Sequence, residues 1–139
     1  MDKEVISAKL ETLRRCTQRI KDRTPSSAAI LAENYDLQDI ISLNLERSVQ
    51  TCVDLASHII AESDLPAPAS MAEGFEQLRR LGLISDELAA RLKKAVGFRN
   101  LAVHAYQAVD WAIVYNIIST RLADFADFAR AVALAAGLP

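Results

Sequence analysis

Arg99, Asn100, His104 and Tyr106 fall within the ten-residue stretch Gly97-Phe98-Arg99-Asn100-Leu101-Ala102-Val103-His104-Ala105-Tyr106, and no other part of the chain is as chemically loaded. An arginine is a permanent cation whose rigid fork of donors matches phosphate oxygens. A histidine is the side chain that exchanges protons near neutral pH. Together they supply the parts for cleaving a phosphodiester by its own 2′-hydroxyl: a base for the 2′ proton, an acid for the leaving 5′ oxygen, and a cation for the charge gathering on phosphorus. In that scheme Arg99 holds the phosphate and His104 moves protons. Asn100 orients the imidazole or bonds RNA, and Tyr106 stacks on a base or bonds the phosphate.

Read as one ideal helix, the stretch places Arg99 and Tyr106 on the same side, about 10 Å apart along the axis. Asn100 and His104 share a neighbouring line. Arg99 and His104 diverge by about 140°, so one subunit brings them to one phosphate only if the arginine curls round the helix. A site composed from two subunits removes that difficulty. Taken alone, the residues leave a structural reading open as well: an arginine near a helix end commonly binds carbonyls or a carboxylate, and a lone histidine is commonly structural.

The stretch must be carried by helices, because the apolar residues recur at three- and four-residue steps and no useful β alternation occurs. A first helix is expected from about Asp2 to Asp22 through Ile6, Leu10, Leu13, Thr17 and Ile20, ended by Thr24-Pro25-Ser26. Residues 26–36 read as a linking segment. The longest pattern runs from Leu37 to about Glu62 with two apolar stripes, the mark of a central helix packed on more than one side. A loop follows at Asp64-Leu65-Pro66-Ala67-Pro68-Ala69. Ser70 with Glu73 forms a capping box for a short helix stopping at Gly82. Ser85 caps a fourth helix running into the Arg99 stretch. In it Gly97 costs about 1 kcal/mol relative to alanine and so marks a close helix approach or a local irregularity. Asp110 caps one last helix, with Trp111, Val114, Ile118, Leu122, Phe125, Ala129 and Val132 inward. The expectation is a single all-α domain over residues 1–139, an up-and-down bundle of four to five helices.

The spacing of Arg99, His104 and Tyr106 resembles the R-x4-H-x-Y signature of the HEPN ribonucleases, in particular the HepT toxins encoded beside a minimal nucleotidyltransferase antitoxin. Asp54-Leu55-Ala56-Ser57-His58-Ile59-Ile60, the segment from Glu73-Gly74-Phe75 to Leu81-Gly82, and Gly97-Phe98-Arg99-Asn100 resemble landmarks of that family in the expected order, over about residues 1–135. The resemblance implies a homodimeric HEPN bundle with a shared cleft, and a metal-independent endoribonuclease cleaving tRNA or mRNA. It also implies an MntA-like antitoxin that neutralises the toxin by transferring AMP to Tyr106, with ATP and its metal held by the partner. The alternative is a non-catalytic helical adaptor or regulatory subunit of a nucleotidyltransferase.

Composition agrees with a compact protein: 139 residues, 51% hydrophobic, formal charge −2. That balance excludes a generally basic nucleic-acid coat but not a local cationic cleft. The local excess between Glu87 and Asp110, where Arg91, Lys93, Lys94 and Arg99 are the only charged side chains, reads either as a guide for an RNA backbone or as an ordinary solvated face. Cys16 and Cys52 are far apart and are expected as free thiols. No signal peptide or membrane span is read, so a cytoplasmic location is expected, with no membrane partner. No cofactor and no metal site are expected in the chain. Asp54 and His58, four apart, have metal-ligand spacing, but two ligands make a poor site, and an i,i+4 hydrogen bond or a polar contribution to a dimer cleft suits them better.

Overall fold

The computed structural model describes residues 2–139, which are helical and joined by loops. Helix α1 (Lys3–Arg23) starts on the Asp2 carboxylate, which accepts from the amides of Glu4 and Val5, and buries Ile6, Leu13, Cys16 and Ile20. The linking segment contains a short helix, α2 (Ala28–Glu33), capped by Ser27. Its end is tied by Gln38, whose Nε2 donates to the carbonyls of Leu31 (2.9 Å) and Ala32 (3.1 Å). The long helix α3 (Tyr35–Ile60) opens two residues earlier than the apolar pattern, because the Asn34 side chain accepts from Leu37 and makes the cap.

Helix α4 (Met71–Arg80) is capped by Ser70, and Glu73 reaches back to the Ala69 amide, one residue before the Ser70 amide of the expected capping box. It ends where Gly82 turns to a φ of 75° and the Leu83 amide bonds the Leu78 carbonyl at 3.0 Å. That is the six-to-one bond of a Schellman turn, which favours glycine because a β-carbon is strained at this φ. Helix α5 (Asp86–His104) starts on Ser85 and carries the arginine and histidine of the candidate stretch. A single turn of 3₁₀ helix (Tyr106–Ala108) leads to α6 (Trp111–Thr120), capped by Asp110.

The expected last helix is divided. Arg121 adopts φ −123°, ψ 4°, and α7 (Ala123–Ala135) restarts with tightened bonds from Asp124 to Arg121 and from Phe125 to Leu122. The bend lets α6 lie on α2 while α7 lies on α1, α3 and α5. Val114 and Ile118 before it and Leu122, Phe125 and Val132 after it are buried, so the inward stripe read from the sequence survives the break. The five expected helices are therefore present, with α2 added and the last one split. At the centre, α3 packs against α1, α2, α4, α5 and α7, and Phe75 of α4 meets Phe128 of α7 edge to face at 5.8 Å. Both cysteines are buried and unbridged.

Glu76 fastens α4 to α5. It accepts from Arg79 on its own helix and from Lys93 Nζ of α5 at 2.6 Å. These two hydrogen bonds, the Arg79 one first, hold its carboxyl down at about 2. Because the folded value lies below that of the unfolded chain, the stabilisation is in place above pH 4.5 and is lost as pH falls toward about 2. Urea unfolding should accordingly show Glu76→Gln less stable than wild type at pH 6, with the gap closing at the acid end. A gap constant with pH would mean that Glu76 contributes by packing and not by charge.

Candidate active site

The candidate residues are set by how α5 ends. The helix continues without irregularity through Gly97, which is exposed, and a β-carbon there would meet nothing within 4 Å. The close approach expected at Gly97 is thus absent from within the described residues of this chain. Helical geometry stops at His104, and Ala105 turns to φ −147°, ψ 54°. Tyr106 consequently lies in the 3₁₀ turn, and the alignment of Arg99 with Tyr106 along one helix does not hold.

Both side chains instead reach helix α3, at different heights. Tyr106 Oη donates to Asp39 Oδ1 at 2.8 Å and accepts from Ser42 Oγ at 3.3 Å, and its ring packs edge-on against Trp111 at 5.6 Å. Burial pushes the phenol pKa up. The Asp39 hydrogen bond and the charges of Asp39 and Glu46 push the same way, against the opposing hydrogen bond from Ser42. Further along α3, Arg99 Nη2 donates to Gln50 Oε1 at 3.4 Å while Nη1 donates to Asn100 Oδ1 at 3.1 Å. Gln50 Nε2 in turn donates to Asp54 Oδ1 at 2.9 Å, and Lys9 Nζ of α1 approaches Asp54 Oδ2 at 3.4 Å.

Arg99 thus sits in a hollow of about 190 Å³ lined by Glu46, Arg47, Gln50 and Val103, and its direct partners are two neutral amides. Glu46 stands close enough to feel the arginine's charge. Burial raises its carboxyl, and Arg99 and Arg47 oppose the rise. His104 is exposed and lies outside this hollow. The structure therefore joins Arg99 and Tyr106 to one face of α3 and leaves His104 on another side of α5. Asn100 accepts a hydrogen bond from Arg99, and among the described residues none joins it to His104.

Other sequence expectations change. Arg91 is paired with Asp124 of α7 at 2.9 Å and Lys93 with Glu76, so half of the basic run joins helices instead of forming a free cationic track. Asp54 and His58 make no bond to each other: Asp54 takes Gln50 and Lys9, while His58 Nε2 lies 3.4 Å from the Asp2 amide. Among the described residues no group of three His, Cys, Asp or Glu is placed to hold a metal, and no helix is long and apolar enough to cross a membrane. A larger groove of about 480 Å³ between α5, α6 and α7 is mainly apolar, with Lys94 and Arg121 at its edge, and contains none of Arg99, His104 and Tyr106.

The sequence reading missed Asp39, Ser42, Glu46 and Gln50. Their signal was present as a polar stripe at three- and four-residue steps down a helix otherwise apolar on two sides.

Residues 13–132 match the family described as Ribonuclease HepT-like. The chain is 36% identical over 125 residues to the mRNA nuclease HepT of Shewanella oneidensis, covering 90% of this chain and 93% of that protein. It is 24% identical over 128 residues to the tRNA nuclease HepT of Aphanizomenon flos-aquae, covering 92% and 87%. Its fold superposes with a TM-score of 0.88 on the tri-AMPylated Shewanella oneidensis HEPN toxin solved in complex with an MNT antitoxin, at 34% identity over 96% of this chain and 99% of that one.

Proposed function

The chain belongs to the HepT-like ribonuclease family, and from that membership we propose that it is the RNA-cleaving toxin of a two-component system whose partner is an MNT-type nucleotidyltransferase antitoxin. The observation that carries the catalytic reading is Arg99 held by amides. A guanidinium bonded to Gln50 and Asn100 keeps its full charge for an incoming phosphate, whereas one locked to a carboxylate would have spent it.

The reaction that suits these residues is transesterification. The 2′ oxygen attacks phosphorus as His104 takes its proton, the bond to the 5′ oxygen breaks, and that oxygen receives a proton from His104 of a second subunit. Arg99 stabilises the charge on the non-bridging oxygens. A 2′,3′-cyclic phosphate and a free 5′-hydroxyl result. Every proton and charge is handled by side chains, so the scheme uses no metal ion.

The exposed surface of α5 supports a second subunit. Its exposed residues Ala90, Lys94, Gly97, Leu101 and His104 fall at steps of four and three, a heptad seam whose centre is a glycine with open space above it. A second copy of α5 packed there would take up the glycine and bring its own His104 beside the first, with the long Arg99 side chain curling round its helix to meet a phosphate held between them. Neutralisation fits the other face. AMP placed on Tyr106 adds an anion on the face of α3 that also holds Arg99, so it competes for the arginine and fills the space an RNA phosphate needs.

Purified protein should cut RNA in EDTA and leave cyclic phosphate ends, with His104→Ala slowing cleavage by about 10²- to 10⁴-fold. Undiminished cutting by that variant would remove His104 from the mechanism. Light scattering should give twice the monomer mass for wild type and the monomer mass for Gly97→Leu, with cleavage lost and helicity retained. A dimer that tolerates leucine at 97 would place the interface elsewhere. Coexpression with the antitoxin should add AMP mass to the toxin but not to Tyr106→Phe. Full neutralisation of that unmodified variant would show that binding alone suffices.

A further inference from the structure

Tyr106 is held in a manner that its place in an RNA site does not require. Its hydroxyl hydrogen points at one carboxylate oxygen of Asp39 at 2.8 Å, and one lone pair faces Ser42 at 3.3 Å. The ring is fixed by Trp111. That leaves the second lone pair of the oxygen free. Asp39 is exposed at the surface of α3, so a partner docked over Tyr106 meets the pair together.

We propose that Asp39 is the proton acceptor for the adenylylation of this chain's own tyrosine. The inference rests on the reading above that Tyr106 is the modified residue. The phenolic oxygen, through its free lone pair, attacks the α-phosphorus of ATP bound by the antitoxin. The new bond joins Oη to phosphorus, the bond from phosphorus to the bridging oxygen of the β-phosphate breaks, and pyrophosphate leaves. The phenolic proton passes to the Asp39 carboxylate, which returns it to solvent. No oxidant or further reactant is needed.

The case for a base supplied by the toxin is physical. A tyrosine is a neutral phenol at neutral pH, burial and the neighbouring charges of Asp39 and Glu46 push Tyr106 further that way, and a neutral phenol attacks phosphorus poorly unless its proton leaves as the bond forms. Asp39 is the carboxylate within hydrogen-bond reach of that proton, while Glu46 acts on the phenol only through its field. The product carries its own argument. Esterified oxygen has no proton to donate, and its phosphodiester is repelled by ionised Asp39, so the modified side chain is driven out of the Asp39–Ser42 cradle and away from the reverse reaction.

The test is a time course of AMP addition to the full-length chain by its antitoxin with ATP, read by intact mass, with circular dichroism and antitoxin pull-down as controls for fold and docking. Asp39→Asn and Asp39→Ala should each slow the first addition by at least about 10²-fold. Added formate should restore part of the rate to Asp39→Ala, whose missing carboxylate it replaces, and none to Asp39→Asn. Ser42→Ala should cost less than tenfold. Addition at the wild-type rate in Asp39→Asn would overturn the role of Asp39 while leaving Tyr106 as the target. A slow Asp39→Ala that formate does not accelerate would make Asp39 a positioning residue and overturn proton transfer. AMP that still appears on Tyr106→Phe would overturn the underlying reading itself.

Discussion

Burial of α3 on most of its circumference is the constraint on which the rest of the molecule depends. A 26-residue helix in contact with five others must satisfy or expose every polar side chain it carries. Asn44, Ser48 and Thr51 do so by returning hydrogen bonds to their own helix, at the carbonyls of Ile40, Asn44 and Arg47. Gln38 does so by clamping α2. Of the remaining stripe, Asp39 and Ser42 are met by Tyr106 from the turn after α5, Gln50 by Arg99, and Asp54 by Lys9 of α1. The candidate site is in this sense the place where the central helix is left polar.

That origin explains what could be read from the sequence and what could not. Apolar periodicity located α1, α3, α4 and α5 to within a few residues, and Ser70, Ser85 and Asp110 make the caps their positions suggest. The divergence of Arg99 and His104 was legible because spacing along one helix is a local property. The place of Tyr106 was not, since after the turn at Ala105 its hydroxyl bonds Asp39, 67 positions away. The split between α6 and α7 is of the same kind. Its inward stripe is continuous in sequence, and only the separate demands of α2 and of the core formed by α1, α3 and α5 bend it.

The basic run before the motif shows the same limit for charge. Four cations in twenty-odd residues resemble a track for nucleic acid, yet Arg91 is spent on Asp124 and Lys93 on Glu76, carboxylates contributed by other helices. What distinguishes Arg99 from them is the kind of partner. Gln50 stands between Arg99 and Asp54 and passes its two amide ends to opposite charges, so that Lys9, and not the arginine, answers the Asp54 carboxylate. A carboxylate in place of the Gln50 amide would pair with the guanidinium and would lose the N–H that Gln50 donates to Asp54.

Glu46 links the two halves of the face. Its charge acts on Arg99 and on Tyr106, one through attraction and the other by disfavouring the phenolate, so both lie within the field of a single carboxylate. In a half-buried hollow such interactions are screened less than at an open surface. An anion placed on Tyr106 would be drawn toward Arg99 and opposed by Glu46, which lines the arginine's own hollow. His104, on another side of α5, lies outside the hollow that Glu46 and Arg99 share, so a charge placed on this face of α3 leaves its surroundings unchanged.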